Sequence, residues 1–128
     1  MKIAFLSFYS GMIYRGVETF VHELGNRLTD MGHNVTIYQN GPEVPGAKYR
    51  TVSIGIEIDL EKFNAYLPFV NYYARRVGVF TLKALKRVDK DTDILFPTNG
   101  QWQALLGSLW GKTHKAKVVI SGQSGPGF

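Results

Sequence analysis

Three short stretches hold the residues whose types and spacing suit ligand chemistry. The first runs from Ser10 to Gly16, with Gly11 and Gly16 five apart. That is the glycine spacing of a phosphate-binding P-loop, but Val17 and Glu18 stand where Lys and Ser/Thr are needed. No G-x-G-x-x-G occurs either, so ATP and nicotinamide chemistry lack their usual fingerprints. What remains is a glycine at a helix start, where the backbone approaches a ligand closely and free N–H groups accept a phosphate. Easing the chain into the helix is an equally complete reason for Gly16. The second stretch is Thr98-Asn99-Gly100-Gln101 and the third Gly122-Gln123-Ser124-Gly125. Both are small and polar, suited to hydroxyl-rich ligands and also to ordinary turns.

Other chemistries find little support. The chain has no cysteine, hence no thiolate nucleophile and no disulfide framework. Its three histidines, His22, His33 and His114, share no metal-ligand spacing. His22 and Glu23 read as solvated helix residues, His33 as closing a turn, and His114 as part of a Lys-rich loop. Ser10, Ser121 and Ser124 sit in no recognisable nucleophile elbow. Glu18, in the first helical turn, complements the helix dipole.

The elements that must position these loops alternate. Ile3 to Phe8 is a short apolar run, as in a strand buried on both faces. Val17 to Met31 repeats apolar residues at helical spacing, through Val21, Leu24, Leu28 and Met31, and Gly32 suits a left-handed cap. Val35 to Tyr38 reads as a second strand, ended by Asn40-Gly41-Pro42. A third lies within Tyr49 to Ile58, where Val52, Ile54, Ile56 and Ile58 alternate. Residues 60–90 read as helix, interrupted at Pro68 and Gly78, with Phe63, Tyr66, Leu67, Val70 and Tyr73 on one face. Val77, Phe80, Leu82, Leu85 and Val88 form a second face. Asp93 to Pro97 is a fourth strand, Gln101 to Trp110 a helix carrying Leu105, Leu106 and Leu109, and Lys117 to Ser121 a fifth strand. This predicts an α/β domain: a Rossmann-like parallel sheet with helices on both faces. Its ligand edge is the carboxyl end of the strands, where the three loops meet.

At 128 residues the chain has room for one domain. Charge is uneven: residues 1–74 balance at −1 and residues 75–128 at +6. The basic half suits an anionic partner, a phosphate or a lipid headgroup, though solubility alone would also account for it. Phe63, Tyr66, Phe69, Tyr72, Tyr73 and Phe80 interleave with Arg75, Arg76, Lys83, Lys86 and Arg87, a mixture found on helices lying on anionic membranes and equally on helices packed on a sheet. No groove-reading or stacking motif points to nucleic acid. Without a leader pattern or an apolar run of about 18 residues, the expected location is cytoplasmic, peripheral at most on the inner membrane face.

The stretch Arg15-Gly16-Val17-Glu18-Thr19-Phe20-Val21-His22-Glu23-Leu24, then Leu28 and Met31-Gly32-His33-Asn34-Val35-Thr36, resembles the N-terminal motif of family 4 glycosyltransferases, GG-x-E followed by L-x-x-x-GH-x-V. Asp93-Ile94-Leu95 and Lys117-Val118-Val119-Ile120-Ser121 resemble later strands of that domain. The resemblance implies one half of a GT-B enzyme, two Rossmann-like domains with the active cleft between them. Such enzymes transfer a sugar from a nucleotide-sugar donor with retention of configuration, with no cofactor and no obligatory metal. It places Gly16 and Arg15 near the donor diphosphate, Arg15 replacing the first glycine of the pair and bringing positive charge. It places Ser10, Thr98, Asn99, Gly100, Gln123 and Ser124 on the acceptor side, a sugar or lipid. Gln123 stands where the family has a histidine; it hydrogen-bonds but does not titrate. The resemblance further implies that residues 1–128 are an incomplete N-terminal domain without its donor-binding partner, inactive alone. The rival readings are a binding module using its basic face on a membrane or protein, and a nucleotide-binding enzyme of another Rossmann class.

Overall fold

The computed structural model describes residues 1–11, 16–56, 70–98 and 100–119. In chain order the elements are β1 (Lys2–Ser7), α1 (Gly16–Asp30), β2 (Asn34–Gln39), β3 (Arg50–Ser53), α2 (Val70–Arg87), β4 (Ile94–Pro97), α3 (Gly100–His114) and β5 (Lys117–Val118). The strands form one sheet in the order β3-β2-β1-β4-β5. Every neighbouring pair is parallel, with Leu6 opposite both Tyr38 and Pro97. The expected Rossmann-like α/β architecture is present.

Strand alternation divides the core between the two faces. Ile3, Phe5, Val35 and Ile37 pack with Val21 and, at the margin, Phe20, Leu24 and Leu28 of α1. Ala4, Leu6, Tyr38 and Leu95 pack with Val77, Phe80, Ala84 and Leu85 of α2 and with Leu106 and Trp110 of α3. Phe5, Phe8 and Phe80 lose all solvent contact, and each such side chain contributes about 1.5–3 kcal/mol by leaving water. Phe5 stacks on Phe96 at 5.0 Å between ring centres, and Phe8 meets Phe80 edge-on at 5.2 Å.

Glycines set how closely helices approach the sheet. A β-carbon on Gly25 would lie 2.9 Å from the Tyr49 ring, and one on Gly111 would lie 2.4 Å from Val118 Cγ2. The sharp end of α1 is the expected one: Gly32 has φ +95, and the His33 N–H donates to Leu28 O at 3.1 Å, the six-residue closure of a Schellman cap. The same closure ends α3, where Ala116 N donates to Gly111 O at 2.9 Å. There the left-handed residue is Lys115, at φ 60.

Several sequence expectations need correction. Gly78 does not interrupt α2, which runs unbroken from Val70 to Arg87; glycine weakens a helix by about 1 kcal/mol but keeps its N–H. Residues 57–69, with the expected break at Pro68 and most of the first aromatic face, lie outside the described residues. Helix α3 continues four residues past Trp110 to His114. Met31 is 71% exposed, and Leu82, Leu105 and Leu109 also face solvent: Met31 follows the last turn of α1, and the three leucines point away from the sheet. β3 ends at Ser53, yet pairing goes on, as Ile54 N donates to Gln39 O at 2.8 Å. The Asn40 carboxamide then stands in for a strand, accepting from Ile56 N at 2.7 Å and donating to Ile56 O at 3.0 Å.

Candidate functional site at the carboxyl edge of the sheet

From β1 the chain crosses through α1 to β2 on one side; from β4 it crosses through α3 to β5 on the other. β1 and β4 are neighbours, so the strand order reverses between them. In open α/β sheets the ligand crevice lies at that reversal, outside the carboxyl ends of the strands. Helices α1 and α3 both start at this edge, at Gly16 and Gly100. Two helix N-termini, each carrying a partial positive charge, therefore flank the crevice.

Gly16 is exposed, and a β-carbon there would meet nothing within 4 Å among the described residues. Packing among the described residues therefore does not require glycine here. Glu18, one turn in, is only 2% exposed. Its place in the first turn, where the dipole favours an acid, follows from local pattern; its burial does not.

The crevice floor is knitted between the strand ends. Ser10, 4% exposed, shares a 2.6 Å hydrogen bond between its Oγ and Ser7 Oγ. Ser10 O accepts from Gly41 N at 3.2 Å, and Phe8 O from Asn40 N at 3.2 Å. Thr98 is also buried; its Oγ1 donates to Leu6 O at 2.8 Å and its N–H to Gln103 Oε1 at 2.8 Å. Of the expected acceptor-side residues, then, Ser10 and Thr98 lie at this edge with their hydroxyls engaged by the protein. Gly100 lies there as the start of α3. Arg15, Asn99, Gln123 and Ser124 are outside the described residues.

Gly11, noted in the sequence for its spacing, and Gln39, which sequence reasoning passed over, belong to the same floor. Gly11 has φ +84, and a β-carbon on it would lie 2.2 Å from Pro42 O and 2.7 Å from Gln39 Nε2. Gln39, fully buried at the end of β2, donates from Nε2 to Pro42 O at 2.6 Å and Gly41 O at 3.2 Å. Those bonds fix the carboxamide, leaving Gln39 Oε1 buried without a partner among the described residues. A glutamine closing a predicted strand before Asn-Gly-Pro was the available signal.

The histidines take structural places. His22 is not a solvated-face residue: its Nδ1 lies 2.7 Å from Tyr49 Oη, the rings meeting edge-on at 5.6 Å, because Tyr49 folds over α1 beside Gly25. His114 ends α3 rather than lying in a loop, stacked on Trp110 at 4.2 Å. Among the described residues no His, Cys, Asp and Glu group could hold a metal, and no helix is long and apolar enough to cross a membrane.

Charge concentrates at the opposite edge. Lys2 Nζ meets Asp91 at 2.9 Å and Asp89 at 3.3 Å, while Lys2 N donates to Asp93 Oδ2 at 2.8 Å. The hydrogen bond with Lys2 holds the Asp91 carboxyl below its ordinary value, and the same bond raises Lys2. Burial, then the nearby Asp89 charge, raises Tyr38.

Residues 14–122 match the model of Glycosyltransferase Family 4. The matched span includes both helix N-termini at the switch point, and the chain belongs to that family. A similar solved structure is the C-terminal domain of a hydrogenase from Pyrococcus furiosus, 14% identical, covering 94% of this chain and 89% of that one with a TM-score of 0.67. At that identity the likeness is one of fold. Comparison with curated proteins finds no match.

Proposed function

We propose that this chain is the acceptor-side half of a retaining glycosyltransferase, which takes a sugar from a nucleotide-sugar donor and passes it to a glycan, lipid or small-molecule acceptor. The observation that carries the reading is the pair of helix N-termini, at Gly16 and Gly100, on either side of the β1–β4 switch point. Family membership gives that crevice a sugar-transfer context. In this reading the N-terminus of α1 at Gly16, with Arg15 beside it in sequence, faces the donor diphosphate, where backbone N–H groups and a guanidinium suit phosphate oxygens. Ser10 and Thr98 shape the acceptor floor through their internal hydrogen bonds, and the family resemblance assigns Asn99, Gly100, Gln123 and Ser124 to acceptor binding. The donor's nucleotide is held by a second domain, so residues 1–128 alone transfer no sugar. No metal or other cofactor is required.

The test is a transfer assay with labelled nucleotide sugars. Purified 1–128 is expected to be inactive, and the same chain joined to a family 4 donor-binding domain active. Sugar transfer by 1–128 alone would overturn the division of labour.

A further inference from the structure

Asn40-Gly41, at the end of β2, is an Asn-Gly pair, the dipeptide least hindered toward deamidation. Glycine carries no side chain to block attack of its own backbone nitrogen on the preceding carboxamide. In that reaction the Gly41 nitrogen bonds to Asn40 Cγ, the Cγ–Nδ2 bond breaks, and ammonia leaves with the Gly41 proton. Water then opens the cyclic imide to aspartate or isoaspartate.

The folded edge opposes each step. Asn40 is 7% exposed and Gly41 is buried, which keeps the hydrolytic water out. The Gly41 N–H donates to Ser10 O at 3.2 Å, and that bond holds the proton the nitrogen must lose. Ile56 clasps the Asn40 carboxamide at both ends, its N–H donating to Oδ1 at 2.7 Å and its O accepting from Nδ2 at 3.0 Å. The carboxamide cannot swing toward the Gly41 nitrogen without giving up both bonds. Beyond it, Gln39 Nε2 donates to Gly41 O at 3.2 Å and to Pro42 O at 2.6 Å, fixing the backbone that would have to move.

We propose that Asn40 is a modification site gated by the fold, inert while the ends of β1 and β2 stay joined and deamidated when they part. The product then hinders reclosure. A carboxylate oxygen takes the place of the Nδ2 donor opposite Ile56 O, setting acceptor against acceptor in a buried position. Isoaspartate also lengthens the backbone by one methylene beside the bond from Asn40 N to Phe8 O. The edge that frames the crevice thus carries a one-way record of its own opening. The inference stands whether or not that edge binds a nucleotide sugar.

Peptide mapping by mass spectrometry, after incubation at neutral pH folded and in guanidinium chloride, tests it. Conversion at Asn40 is expected to be on the order of a hundredfold slower in the folded chain, the protection of a segment that opens rarely. Gln39→Met removes the donor to Gly41 O and Pro42 O. Folded by circular dichroism, it should convert about tenfold faster than folded wild type, and at the wild-type rate in denaturant. Asn40→Asp, the direct product, should unfold at a lower denaturant concentration than wild type. Equal conversion in folded and unfolded wild type overturns the gating, as does a folded Gln39→Met protected as fully as wild type. A wild-type midpoint for Asn40→Asp overturns the hindered reclosure.

Discussion

Thr98 Oγ1 donates to Leu6 O at 2.8 Å, tying the residue after β4 to the carboxyl end of β1. The bond lies across the switch point, so it sets the spacing of the two strand ends that frame the candidate crevice. Thr98→Val keeps the shape and removes the donor. It is expected to lower unfolding stability by about 1 kcal/mol, the usual worth of one such bond. Thr98→Ser keeps the hydroxyl donor and should avoid most of that loss. Urea melts of the two variants against wild type measure both.

Gly11→Ala should cost more. The β-carbon would have to occupy space 2.2 Å from Pro42 O at φ +84, and neither that backbone oxygen nor the left-handed conformation adapts cheaply. A loss of about 2 kcal/mol or more is expected, read from the shift in denaturation midpoint.

Lys115 offers the opposite sign. It holds φ 60 at the end of α3, a position glycine fills without steric cost. Lys115→Gly should raise stability by about 1 kcal/mol. An unchanged or lower midpoint would show that the Lys115 side chain makes compensating contacts.

The Lys2–Asp91 pair gives a pH signature. Asp91 is lowered from 3.8 in the folded chain, so its contribution is present above that value and disappears as pH falls through the folded one. Lys2 is raised from 10.5, so its contribution is present below that value and is lost as pH rises beyond it. The stability difference between wild type and Asp91→Asn should thus be flat from about pH 5 to about pH 10 and close at both ends. With the Asp91 side chain 76% exposed, the effect is small and shrinks in salt. Thermal melts across pH at two salt concentrations measure it.

How much was legible beforehand differs by element. The five strands and the helices starting near Gly16 and Gly100 were readable, because apolar runs such as Ile3 to Phe8 and helical spacing such as Val21-Leu24-Leu28 follow from burial against a sheet. Gly32 announced its cap through its backbone freedom. Lys115 did not, since only tertiary placement of β5 forces a lysine into the same conformation. The exposure of Leu82, Leu105 and Leu109 is not legible, because hydropathy does not say which way a helix faces once two helices share one side of a sheet. At the site, the glycine loops were visible as loops. The burial of Glu18, Ser10 and Thr98, and the contact between Gly11 and Gln39, depend on β1, β2 and β4 ending side by side, which no local pattern encodes.

The central claim is that the β1–β4 crevice, flanked by the N-termini of α1 and α3, faces the donor diphosphate. Amide chemical shifts of the labelled chain during titration with a nucleoside diphosphate test it most directly. The account predicts the largest movements at the N–H groups of Gly16 to Glu18 and at the start of α3, with α2 and the Lys2–Asp91 edge unmoved. Movements confined to α2, with Gly16 and Gly100 silent, would contradict it.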